Sequence, residues 1–564
     1  MITKPQHSGL RSNSFSEFDP EAVRLRRYSL IAKPGFNRWM VPPAALAIHL
    51  CIGMAYGFSV FWKPLTELLS NPLANSCPNM TLLRMLYTLR CNWREEDVTL
   101  VYTLFFVFLG CASATAGTWL ERIGPRRAGI LAAIFWSGGL MVAAAGIKIH
   151  QLWVVCLGAG MIGGIGLGIG YISPISTLLA WFPDKRGVAA GMAIMGFGGG
   201  ALVGSPLAQL LMTNILGTGA NPAVWQSFFI LGLIYLVFML GGSFAYRLPP
   251  PGWRPPGWTP KTGGTMMAHR PVHIKKAHRT PQFWLIWMVL AMNVSAGIGI
   301  LGSASSMLQE IFGGRLIDLA AIKFAELTAE QRIQTAVVGA GFVGLLSLFN
   351  IGGRFFWSSV SDRIGRKKTY SLYFILGFGI YFIMPTLIHH QMVGLFVISF
   401  CIAVSIFGAG FATIPAYLAD IFGTQFVGAI LGRILTAWSV AGILGPVIVN
   451  YFHSQAKNSG LAPQNYYDMT LYILSGLLIL GFVANMLIRP VNAKWHMTDR
   501  EIMQANVTFE RGKKTSGDGS NGGIGLGSLA SPMVWLAWSP VAIPLLWGVW
   551  MAFDKARVFI PGLH

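Results

Sequence analysis

The sequence predicts an all-α membrane protein: two six-helix bundles giving twelve crossing helices, with a thirteenth appended at the C-terminal end. Three observations predict it. Of 564 residues, 54% are hydrophobic and only 11% charged, against roughly 25% charged in soluble globular chains. Apolar runs recur that approach or exceed the ~20 residues a helix needs to cross ~30 Å of hydrocarbon. A loop signature also appears twice, each time after the second run of a set of six. Together these exclude most soluble enzymes and any nucleic-acid reader despite the formal net charge of +21. Much of the basic excess lies between apolar runs, as the positive-inside rule expects of cytoplasmic loops.

Residues 1–38 are polar and basic (Arg24, Arg26, Arg27, Lys33, Arg38) and read as a cytoplasmic tail. They lack the short apolar core and small-residue cleavage site of a secretory signal. The first bundle, 39–246, holds runs at 41–62, 99–118, 128–147, 152–181, 187–213 and 224–246. A central loop, 247–281, holds PPPGWRPPGW and carries Lys261, Arg270, Lys275, Lys276 and Arg279. Proline stops the preceding helix, and the cations place the loop in the cytoplasm. The second bundle, 282–489, holds runs at 283–312, 334–357, 369–388, 393–418, 427–452 and 468–489. Parity places two polar insertions, 63–98 and 313–332, on the opposite side. In an oxidising compartment, Cys77 and Cys91 of the first could pair or remain free thiols. Cys51, Cys111, Cys156 and Cys401 lie in apolar runs and read as packing residues. A Gly/Ser/Lys linker within 490–532 reads as flexible, and the fusion-like joint leads to a last run at 533–553 within the segment 533–564. Pro540 and Pro544 interrupt that run, which still reads as a full span.

The repeated loops are GTWLERIGPRR, Gly117 to Arg127, and FWSSVSDRIGRKK, Phe356 to Lys368. Each has an acid and an arginine, then Ile-Gly, then a basic cluster. Glu121, Arg122, Asp362, Arg363 and Arg366 are therefore candidates for gating loops between helices. The matched positions argue for a duplicated six-helix unit with parallel repeats about an axis along the membrane normal.

A charge inside a span costs about 2.5–3.5 kcal/mol on insertion scales and is a functional candidate by default. Arg354 lies eight residues before Asp362, about 12 Å deep at 1.5 Å per residue. Its planar fork matches a carboxylate bidentately; the competing reading is an arginine snorkelling to the surface. Arg433 has similar depth and the same two readings. His49 is a candidate for proton coupling, or simply a histidine bonded to a neighbouring helix. Tyr56 and Tyr171 offer hydroxyl donors in glycine-rich stretches, where packing alone would also use them. The string GAGMIGGIGLGIG, Gly158 to Gly170, reads as close helix packing, since no strand precedes it. Nothing in the sequence suggests a catalytic set, a cofactor or a metal cluster.

The stretches WFPDKRGVAAG, RTPQFWLIW, FNIGGRFFW with SDRIGRKKT, and DIFGT together resemble the oxalate:formate antiporter family of the major facilitator superfamily, over about 36–490. The resemblance implies alternating access around a central anion site. It maps the family's helix-eight arginine onto Arg354, and it maps aromatic cage positions onto Tyr56, Tyr171, Phe197, Phe407 and Phe411. The family's helix-eleven lysine is replaced by Trp438. One cation fewer favours a monoanion, or asks Arg433 to compensate. The related monocarboxylate transporters carry Asp-x-x-x-Arg in helix eight, where this chain has Asn350-x-x-x-Arg354. The C-terminal segment resembles the small single-span subunit found with some bacterial carriers of the family.

The expected function is therefore secondary transport of small organic carboxylates, by a monomer in the plasma (inner) membrane with its N-terminus cytoplasmic. The expected partners are the carboxylate and the lipid bilayer, and no nucleic acid. A proton-coupled monocarboxylate symporter is the alternative, and a non-transporting carboxylate sensor is the alternative of another class.

Overall fold

The structure is a computed structural model that describes residues 30–33, 35–69, 77, 80–218, 222–250, 253–258, 268, 270–319, 322–502 and 531–556. Among the described residues, thirteen helices are long and apolar enough to cross a membrane. They are α1 (Arg38–Phe58), α2 (Glu95–Ile123), α3 (Pro125–Lys148), α4 (Leu152–Trp181), α5 (Arg186–Ile215) and α6 (Val224–Ala245). The second set is α7 (Pro281–Phe312), α8 (Ala329–Ile364), α9 (Arg366–His389), α10 (Val393–Phe422), α11 (Val427–Ala456) and α12 (Asp468–Leu487). The last is α13 (Pro532–Ala556). Among the described residues only two isolated β-bridges occur, Ile31 with Leu248 and Val272 with His496. Large apolar side chains such as Val237, Phe244, Trp284, Ile375 and Leu480 remain exposed on the outside, as lipid-facing surfaces require.

The duplicated signature is a duplicated structure. Gly124 ends α2 at φ +84° and Gly365 ends α8 at φ +89°, a left-handed backbone region that glycine enters without steric cost. Gly124 N donates to Leu120 O, and Gly365 N donates to Ser361 O. Two residues after each glycine, a cation caps the end of the bundle's last helix. Arg126 donates to the carbonyls of Phe244 and Tyr246, and Lys367 donates to those of Met486 and Ile488. Cations at helix C-termini satisfy orphan carbonyls and oppose the helix dipole. We call the side carrying these turns the basic face.

Departures from regular helix mark two important places. Gly53–Phe61, at the end of α1, is wound as a 3₁₀ helix and carries Tyr56; such stretches often mark functional positions. Helix α11 breaks at Leu435, between Val427–Ile434 and Thr436–Asn458, so that Arg433 and Trp438 fall on opposite sides of the break. Pro540 and Pro544 lie inside an unbroken α13.

Two segments expected to be loop or linker are packed where described. Met497 N donates to Pro271 O, Lys276 pairs with Glu501 at 2.8 Å, and Arg270 pairs with Asp499 at 3.1 Å. The lysine bond holds the Glu501 carboxyl below its ordinary range. The central segment thus closes against the chain that leaves α12. On the opposite side, Cys77 and Cys91 are joined by a disulfide, their Cα atoms 5.8 Å apart. Cys111 corrects the packing expectation: its place on α2 is exposed, facing outward from the bundle, whereas Cys51, Cys156 and Cys401 are buried. Arg24, Arg26, Arg27, Lys261 and most of the 490–532 linker lie outside the described residues, as do the side chains of Glu121 and Arg122.

Candidate functional site

Six helices, three from each bundle, bring one group of side chains together. Tyr56 comes from α1, Tyr171 from α4, Phe197 from α5, Arg354 from α8, Phe407 and Phe411 from α10, and Trp438 from α11. Trp438 is the hub. Its ring centroid lies 4.3 Å from Phe411, 5.2 Å from Phe197, 5.3 Å from Tyr171 and 6.1 Å from Tyr56. Tyr56 meets Phe197 edge-on at 4.9 Å and lies 6.3 Å from Phe407. The spacing that separates Gly124 from Gly365 also separates Phe197 from Trp438. The two rings therefore occupy equivalent places in the repeats and meet between the bundles.

Arg354 is fully buried. Its guanidinium lies over Phe411 at 5.5 Å and Phe197 at 5.7 Å, within the range of a cation–π contact. Its Nε donates to Asn350 Oδ1 at 2.9 Å, and Asn350 is itself held by donating Nδ2 to Val404 O at 3.1 Å. A second guanidinium nitrogen donates to Ile194 O of α5 at 3.3 Å, across the bundle boundary. Backbone α5 can come this close because Gly198 has no side chain: a methyl there would stand 2.6 Å from Asn350 Oδ1 and 2.9 Å from Arg354 Nε.

The electrostatics are one-sided. Among the described residues, no carboxylate pairs with Arg354. Its remaining NH2, the hydroxyls of Tyr56 and Tyr171, and Trp438 Nε1 are all buried without a hydrogen-bond partner. Neither tyrosine hydroxyl reaches hydrogen-bond geometry with the guanidinium. Buried polar groups are normally paired, and an uncompensated buried charge is costlier still. A cation with an idle nitrogen of its own and three idle donors around it is complementary to an anion.

His49 lies behind Tyr171, ring centroids 5.3 Å apart. Its Nε2 faces Tyr171 O at 3.1 Å, and its Nδ1 contacts Ala193 O, the carbonyl beside the one Arg354 holds.

Arg433 is a correction. The sequence offered it as a second cation for the site, but it donates to Ile274 O at 3.3 Å and pairs with His278 Nδ1 at 3.0 Å, on the basic face. It stands five residues before Trp438, which at about 100° per residue turns it some 140° away even before the break in α11. The two side chains cannot both enter the cage. Snorkelling, the competing reading, describes Arg433.

The second signature loop lies where the bundles meet at the basic face. The Asp362 carboxylate accepts from the backbone nitrogens of Gly187 at 2.9 Å and Val188 at 3.1 Å. It thereby caps the start of α5 in the other bundle, with the charge the helix dipole favours. Arg366 ties Asp362 to Asp420, at 2.5 Å and 3.3 Å, and Arg186 reaches Asp420 from the first bundle at 3.1 Å. Arg363 is exposed and stands outside this cluster, which corrects its place among the gating residues. Asp362→Asn weakens two charge-assisted bonds worth about 1.5–3 kcal/mol each at full strength. Exchange rates in proteoliposomes should fall about tenfold, with substrate affinity in equilibrium binding changed by no more than about threefold. Unchanged rates would show that the cap does not govern the gate.

Sequence reasoning missed three things here: the Asp420–Arg186 pair, Asn350 as the residue that orients Arg354, and the carbonyl of Ile194. The signal for the first was available, since WFPDKRG and DIFGT are charged motifs at equivalent ends of α4 and α10. The carbonyl left no trace in residue type.

An all-α carrier fold with a buried, donor-rich site between two repeats defines a secondary membrane transporter. The chain belongs to the Major Facilitator Superfamily, whose description matches residues 44–329 and 294–560. It is 28% identical over 412 residues to the oxalate:formate antiporter of Oxalobacter formigenes, covering 72% of this chain and 83% of that one. It is 26% identical over 389 residues to apicoplast pyruvate carrier 1 of Toxoplasma gondii, covering 60% and 67%. Among solved structures, the proton:xylose symporter XylE superposes with a TM-score of 0.55 at 15% identity, covering 81% of this chain and 95% of that one. That likeness shows the fold alone.

Proposed function

We propose that this transporter carries small organic carboxylate anions, and that it accepts monocarboxylates of formate or pyruvate size in preference to dianions. One observation carries the reading: a fully buried Arg354 with no carboxylate partner among the described residues, ringed by unpaired donors from Tyr56, Tyr171 and Trp438. The relatives named for oxalate, formate and pyruvate support the substrate class. The single cation supports a single charge, because one guanidinium neutralises one carboxylate and the aromatic walls leave a second one unpaired. The basic face is cytoplasmic on this reading, by the positive-inside rule, with the N-terminus on that side, in a plasma or inner membrane.

Coupling by exchange is the favoured form, since Asn350 stands where a carboxylate would otherwise release a proton beside Arg354. A proton-coupled form is supported by His49, whose two ring nitrogens face two carbonyls although a neutral imidazole donates to only one. Counterflow in proteoliposomes tests both. Vesicles preloaded with oxalate, formate or pyruvate are offered the labelled anion at fixed and at imposed pH gradients. Formate or pyruvate exchange exceeding oxalate exchange, insensitive to the gradient, is expected. Faster oxalate exchange overturns the monoanion preference, gradient-driven uptake into empty vesicles replaces exchange by symport, and no flux of any carboxylate overturns the reading.

A further inference from the structure

Helix α13 does not simply lie on the lipid-facing side of one bundle. It packs on α1 and α5 of the first bundle, on α8 of the second, and on the turn that opens α1. At the basic end Trp538 Nε1 donates to Trp39 O at 3.0 Å, and Val541 is buried with Leu46 and Ala47 of α1. Halfway along, Leu545 lies against Gly199 of α5, next to Gly198, which faces Arg354. One turn further, Gly548 and Ala552 form a small-xxx-small pair, the pattern that lets membrane helices approach closely. The pair is divided between the bundles. Gly548 sits against Leu202 of α5, where an added methyl would stand 2.9 Å from the Leu202 carbonyl oxygen. Ala552 sits against Gly344 of α8, 3.3 Å from where a methyl on that glycine would be. The helix therefore runs diagonally over the seam, fixed to the first bundle at the basic face and reaching the second on the opposite side.

We infer that α13 is a strap across the seam between the bundles that favours the state in which the basic face is closed. Rocking of the bundles moves α5 relative to α8, and a helix seated on both keeps all its contacts in one arrangement only. A segment that binds one state better than the other shifts the population toward it by that difference. The present state is closed at the basic face, where Asp362 caps α5 and Ser358 of α8 lies fully buried beside Gly187 and Gly191 of α5.

Ser358→Cys supplies the probe, in a chain whose free cysteines Cys51, Cys111, Cys156 and Cys401 are replaced by alanine. Labelling by a membrane-impermeant maleimide from the basic face reports opening of the seam. Two variants remove the strap: a chain ending at residue 530, and the full chain with Gly548→Leu and Ala552→Leu, whose bulk lifts α13 from α5 and α8. Both should label about threefold faster or more than the chain with α13 intact. Equal or slower labelling of the folded double variant, with its elution profile unchanged, overturns the proposal, and that variant decides the matter should the truncated chain fail to insert. Labelling needs no substrate, so its outcome stands apart from that of the anion reading.

Discussion

Replacing Arg354 by alanine is expected to lower carboxylate exchange at least a hundredfold while leaving insertion and fold intact. The energetic reason lies in the asymmetry of the site. With an anion bound, Arg354 is one half of a buried ion pair, and removing one partner of such a pair costs about 3–5 kcal/mol, or roughly two to four decades in affinity. With the site empty, the guanidinium has no carboxylate partner among the described residues and only part of its donor capacity is used. Alanine therefore removes an uncompensated charge from the empty protein. Its melting temperature without substrate should match or exceed that of the parent, and the rise on adding formate or pyruvate should vanish. Arg354→Lys should also exchange poorly, because an ammonium is a point charge that cannot span Asn350 Oδ1, the Ile194 carbonyl and an anion as the planar fork does. Normal exchange by the alanine variant would remove the anchor from the proposed function. A large loss of thermal stability would assign Arg354 a structural role instead.

The second large effect is expected at Trp438, the hub of the cage. Trp438→Phe keeps an aromatic ring against Phe411 and Phe197 and deletes the unpaired Nε1 donor. A neutral hydrogen bond to a charged group is worth about 1.5–3 kcal/mol, so monocarboxylate affinity should fall roughly tenfold or more. Trp438→Lys places a second cation across the cage from Arg354. Oxalate should then gain on formate by at least about tenfold in counterflow competition, because two cations can neutralise two carboxylates. In the same series Trp438→Ala opens a cavity at the bundle boundary and should cost stability, about 3–5 kcal/mol, which separates packing from donation. A lysine variant with an unchanged oxalate-to-formate ratio would show that charge count at this place does not set selectivity.

Both experiments concern a site in which only one repeat carries the cation. By the spacing that equates Gly124 with Gly365, the counterpart of Arg354 in the first half is Ser113, which is buried and donates to Gly168 O at 3.1 Å. Duplication supplied two similar halves; the proposed anion site depends on a place where they differ. The aromatic counterparts Phe197 and Trp438 differ in the same way, since only the tryptophan brings a donor.

Much of this protein is determined by local sequence. Thirteen spans follow from apolar length, because hydrocarbon offers no partner to an unpaired backbone group and leaves the helix as the form a short segment can take. The repeat follows from the paired Ile-Gly turns, since glycine is the residue that ends a helix at positive φ without strain. Arg354 is legible as a candidate because a charge in the middle of a span has few structural explanations. What the tertiary structure alone decided is which side chains share a space. Arg433 and Arg354 look alike in sequence, but the turn along α11 away from Trp438 sends Arg433 to the basic face, whereas α8 carries Arg354 into the cage. Asn350 and the Ile194 carbonyl position the guanidinium through contacts that no residue pattern announces. Helix α13 has the composition of any lipid-facing span; its place across the seam depends on glycines in α5, α8 and α13 that are far apart in the chain and meet only when all three helices are packed.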